Sequence, residues 1–177
     1  MHLKSKQIAF LGVLAAIAVL FVVLSGIIEP NTLVFLGLAS LCVGVSISEM
    51  GIKMGIAFYI AVVLLSLIIA PVKLYCLTFA IVSLYVVISE GIMRFTEAHF
   101  SEELLQRMRY LFKFVAFNVL YVPVMVFAPK LLYSGTPGTG AYIGMFVVGQ
   151  AVLVLYDQVY ICLMNYYQTK LRKRLNL

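Results

Sequence analysis

Charge is what this sequence has least of. Aspartate, glutamate, lysine and arginine make up 11% of its 177 residues, where soluble globular domains carry about 25%. That scarcity excludes an ordinary water-exposed domain. Cysteine is scarce too. Cys42, Cys76 and Cys162 lie inside apolar segments, none forms a C-x-x-C pair, and their odd number argues against a disulfide framework. They read as small buried hydrophobes. The only histidines, His2 and His99, fall outside the apolar segments. No G-x-S-x-G, H-E-x-x-H, Walker A or metal-ligand cluster occurs, so catalysis would have to rest on isolated carboxylates. The sequence therefore reads as a non-enzyme without a cofactor or metal. A net charge of +6 comes without a basic patch interleaved with aromatics, which argues against nucleic acid as a partner.

What is present is apolar length. Hydrophobic residues make up 64% of the chain. Between Thr32 and Met93 only Glu49, Lys53, Lys73 and Glu90 are charged. Two short breaks, 49–53 and 71–73, cut this block into Thr32–Ser48, Met54–Ala70 and Leu74–Ser89. Pieces this apolar are membrane helices, and such short connections make them antiparallel neighbours. Before them comes Ile8–Ile28, about 21 residues, too long for the core of a signal peptide and followed by no A-x-A site. It reads as an uncleaved first span ending at Glu29-Pro30-Asn31.

The stretch 95–109 is the longest aqueous one. Ser101 reads as an N-cap, with Glu102 and Glu103 in the first turn and Phe100 and Leu105 as a hydrophobic staple. A surface helix starting there runs into a fifth span, Leu111–Ala128, with Pro123 predicting a kink. Pro129–Gly140 reads as the longest loop, and the sixth span as Ala141 to about Leu163. The expectation is an all-α, single-domain, six-helix integral membrane bundle. Eleven of the 13 lysines and arginines then fall on one side or close to it, leaving Lys73 and Lys130 on the other. By the positive-inside rule both termini are cytoplasmic in a cell inner (plasma) membrane, with Tyr110, Tyr166 and Tyr167 at the inner interface.

Three groups of residues stand out. Gly12 and Ala16, with Ala15 beside them, form a small-residue face on span 1 that admits close approach of another helix. Gly51-x-x-x-Gly55 and Gly140-x-x-x-Gly144 read as packing within the chain. Asn118, Asp157 and Lys113 are polar inside the membrane, at depths where they can meet. They read as a buried polar network, with Glu90–Arg94 as a further i,i+4 pair. Gln150 lies on the same span as Asp157. Glu29, Asn31, Lys73, Tyr75, Lys130, Tyr133 and Tyr142 border the outer loops and, with Gln150, are the candidate lining of an outer pocket under a loop lid. Glu102-Glu103-x-x-x-Arg107 matches the E-E-x-x-x-R string of intramembrane CAAX-type proteases. That family needs histidines downstream within the membrane, and none is here.

Ile8–Ala18 and Gly37–Ser66, together with the size and the six spans, resemble the substrate-binding S components of energy-coupling factor (ECF) vitamin transporters. The resemblance covers most of the chain through pattern, without a diagnostic motif. It implies a small vitamin-like nutrient captured at the outer face by outer loops and later helices. It also implies that small residues of helix 1 dock on a transmembrane coupling subunit served by two separate ATPases. Gly12 and Ala16 stand in that place, with glycine where the family's A-x-x-x-A has alanine. A weaker resemblance, in length and topology, is to rod-shape membrane proteins of bacteria, which act as scaffolds and carry no solute. Membrane lipid is a partner in either case.

Overall fold

A computed structural model describes residues 5–28, 31–99, 101–127 and 138–171. Within them every regular element is a helix, with no strand. The helices are α1 (Ser5–Ile27), α2 (Thr32–Met50), α3 (Ile52–Ile69), α4 (Lys73–His99), α5 (Glu102–Phe127) and α6 (Thr139–Tyr166). A π-helical turn, Tyr167–Leu171, follows α6. Each of the six has an apolar stretch long enough to cross a membrane. The chain is a multi-pass membrane protein.

The connections follow from local chemistry. Gly51 has φ +82°, a conformation that residues with a Cβ rarely adopt, and it lets the chain turn from α2 into α3 with no intervening loop. Its N–H still donates to Ile47 O at 2.9 Å, closing the end of α2. Between α1 and α2, the Thr32 hydroxyl donates to Ser25 O at 2.9 Å. After α3, Pro71 follows the extended Ala70 and prevents the helix from continuing. The next helix begins at Lys73, whose ammonium donates to the carbonyls of Leu67 and Ala70. A cation thus meets the unsatisfied carbonyls at the C-terminal end of α3.

The helices exceed their apolar segments at the polar ends. α4 continues to His99, through residues whose composition reads as aqueous. Its last turn is polar, with His99 Nδ1 against Phe95 O at 3.0 Å. Leu104 and Leu105 N–H groups donate to Ser101 O, so α5 begins at the expected place and runs unbroken through Pro123. Phe100 of the expected staple lies outside the described residues, as do the side chains of Glu102 and Glu103. Thr139 and Gly140, read from sequence as loop, belong to α6.

Two compact units emerge: 1–90 with 160–177, and 91–159. In the first, α1, α2 and α3 pack mutually. Their core includes Val22, Leu36, Val43, Ile47, Val62 and Phe79. Half of the most apolar window of α2 is buried, against 22% in α1 and in α3. α2 is therefore the central helix, and the outer flanks of α1 and α3 are left for lipid. Gly55 supports this packing. A Cβ there would overlap the Ile47 side chain and lie 3.0 Å from its Cα. Around Gly140 and Gly144, by contrast, nothing lies within 4 Å of a built Cβ, so the second small-residue pair is not a packing contact within the described residues.

Candidate functional site

The second unit holds α5 and most of α6, tied by a ladder of polar contacts. Lys113 Nζ donates to Asp157 Oδ2 at 3.2 Å. Gln150 Nε2 donates to Asn118 Oδ1 at 2.9 Å. Tyr121 Oη donates to Met145 O at 2.8 Å. Rising numbers on α5 meet falling numbers on α6, so the helices are antiparallel and these contacts fix their register. The Tyr121 ring lies directly against Gly149: a Cβ there would sit 2.6 Å from the Tyr121 hydroxyl. Polar side chains within an apolar span need partners, because lipid offers none.

The Lys113–Asp157 ion pair is the most demanding of these contacts. The two side chains are 4% and 11% exposed. Both charges are largely out of contact with solvent, and each offsets the desolvation cost of the other. Beside the pair lies a cavity of about 510 Å³ lined by Arg107, Tyr110, Leu111, Lys113, Phe114, Leu153, Val154, Asp157 and Gln158. Most of its wall is apolar. One further atom in the ladder is unfilled: Gln150 Oε1 is buried and has no hydrogen-bond partner among the described residues. A buried acceptor in that state costs roughly 1–3 kcal/mol unless a water or a ligand donates to it.

The expected polar network is therefore resolved into two pairs. Asp157 takes Lys113, and Asn118 takes Gln150 while donating to Phe114 O at 2.8 Å. Glu90 is engaged elsewhere, within the first unit. Tyr160 Oη donates to Glu90 Oε1 at 2.6 Å, with both residues buried. The tyrosine ring fits because position 44 is glycine; a Cβ would lie 2.8 Å from Tyr160 Cε2. This link between residues 70 apart in sequence leaves no periodic trace. Arg107 and Gln158 as cavity neighbours were likewise missed, because their shared lining depends on the α5–α6 register.

The expected outer-pocket residues are placed differently from one another. Glu29, Lys130 and Tyr133 lie outside the described residues. Asn31 is exposed at the start of α2 and makes no side-chain cap hydrogen bond. Lys73 caps α3, and Tyr75 is half-buried against the core of the first unit. Tyr142 is half-buried near the start of α6. On α1, Gly12 and Ala16 are exposed, and nothing lies within 4 Å of a Cβ built at Gly12. Ala15 is turned the other way and packs against the core. No group of three or more potential metal ligands exists among the described residues.

No family model, curated protein or solved structure matches this chain.

Proposed function

We propose that this protein is the substrate-binding membrane subunit of an ECF-type uptake transporter. In this reading it captures a small, water-soluble, vitamin-like nutrient at the outer face of the cell inner membrane. It performs no chemistry itself. It docks through α1 on a transmembrane coupling subunit, and ATP hydrolysis on separate chains drives release of the nutrient inside.

The observation that carries the reading is the bare face of α1. Gly12 and Ala16 are one helical turn apart, both exposed, and flanked by exposed Ile8, Val13, Ile17 and Leu20. A helix that packed only within its own chain would turn its smallest residues inward, as α1 does with Ala15 and Ala18. An outward small-residue notch between large aliphatic side chains suits the close approach of a second membrane helix.

A second reading, a scaffold that binds membrane proteins and no solute, is favoured by Lys73. Its ammonium is engaged in capping α3, which removes a cation from the expected outer pocket. Native mass spectrometry of gently extracted protein separates the two. A transport subunit retains both a small molecule and a coupling subunit. A scaffold retains protein partners alone.

A further inference from the structure

The cavity beside Lys113 and Asp157 differs in chemistry from a pocket for a water-soluble nutrient. We infer that it is a binding site for one anionic phospholipid, whose phosphate meets Arg107 and Lys113 and whose acyl chain lies along Leu111, Phe114 and Val154. The inference does not depend on the transport reading.

Charge selects the headgroup. The cavity lining carries two cations, Arg107 and Lys113, against one carboxylate, Asp157. That carboxylate already accepts from Lys113. An ammonium has three donors, so pairing with Asp157 leaves capacity for a phosphate oxygen. Arg107 is exposed at the polar end of α5, and its planar guanidinium matches a phosphate bidentately. Positions 107, 111 and 114 recur at helical spacing, so the cation and the apolar wall share one face of α5.

Exposure selects the lipid over a free anion. Leu111 is 57% exposed, Phe114 51% and Val154 60%, although all three line the cavity. The open side is thus an apolar flank of a membrane helix pair, which faces acyl chains and not water. A ligand entering there must be amphiphilic. The arrangement, a basic mouth above an apolar groove between two membrane helices, is the one that recognises lipid headgroups.

The test uses the purified full chain in detergent, incubated with phosphatidylglycerol or with phosphatidylcholine of the same acyl chains. Retained lipid is read by native mass spectrometry. The expected result is at least about tenfold preference for phosphatidylglycerol, the worth of one charge-assisted hydrogen bond. Arg107→Gln abolishes that preference. Val154→Trp, which fills the groove and leaves both cations, lowers retention of both lipids. Both replaced side chains are exposed, so the fold is retained. Lys53→Gln, an exposed cation outside the lining, changes nothing. Equal retention of the two lipids overturns the inference, as does an Arg107→Gln protein that keeps its preference. So does an equal loss with Lys53→Gln, which would indicate diffuse attraction. Displacement of the lipid by excess inorganic phosphate would make the site one for a soluble anion and would equally overturn it.

Discussion

Removing one member of the Lys113–Asp157 pair should be far more damaging than removing both. In Lys113→Met the Asp157 carboxylate stays where it is, 11% exposed, without the Lys113 ammonium. Losing one partner of a buried ion pair costs about 3–5 kcal/mol, whereas replacing both by apolar groups of similar size is often neutral. At roughly 2–4 °C per kcal/mol for a chain of this size, Lys113→Met should lower the thermal midpoint in detergent by about 6–20 °C. Asp157→Leu should do the same, leaving the ammonium stranded. The double variant Lys113→Met/Asp157→Leu should return to within about 1 kcal/mol of the parent, because neither charge is left buried without the other. The assay is a double-mutant cycle on thermal midpoints at one pH and one detergent concentration. Single variants that each shift the midpoint by less than about 2 °C, equivalent to roughly 1 kcal/mol or less, would refute the reasoning. So would a double variant as unstable as the sum of the two singles, because the charges would then not be acting on each other.

Three further outcomes follow from the packing. Gly44→Ala drives a methyl against the Tyr160 ring and should cost about 1–3 kcal/mol, read as a lower thermal midpoint. Tyr160→Phe removes the hydroxyl that donates to buried Glu90 and should destabilise by roughly 1–3 kcal/mol; no change in thermal midpoint would show the bond to be dispensable. Gly12→Leu, with nothing within 4 Å of its built Cβ, should leave the stability of the isolated protein within about 0.5 kcal/mol of the parent, as surface substitutions usually do. A larger loss in the same melt would mean that the face is covered within the chain.

The course of the helices is legible in the sequence because hydropathy and breakers act locally. Glu49–Lys53 and Pro71–Lys73 interrupt the apolar block, and the structure turns there. The start of α5 after Ser101 is equally local, since acids after a small hydroxyl residue favour a helix N-terminus. The polar end of α4 was not legible, because a helix that leaves the membrane into water no longer needs apolar residues. That Lys113 pairs with Asp157, and Asn118 with Gln150, depends on the α5–α6 register. Depth along each span brings these residues to similar levels but does not choose among partners. Close fitting at Gly149 and the Tyr121–Met145 hydrogen bond accompany that choice, and neither leaves a pattern in one sequence. The rotation of α1 is the subtler case. Gly12, Ala15 and Ala16 read as one small patch, yet the helix turns Ala15 to the core and leaves the other two outside. Nearly uniform hydrophobicity around α1 gives no amphipathic signal for which side faces the protein.

The central claim is that the bare face of α1 docks a transmembrane partner. Its most direct measurement is co-purification of tagged full-length protein from its own membranes, comparing the parent with Gly12→Leu and Ala16→Leu. The account predicts that the parent brings down a transmembrane coupling subunit with its ATPases. Either leucine should abolish that association while the protein remains as stable as the parent. An unchanged set of co-purifying chains in both variants would contradict it.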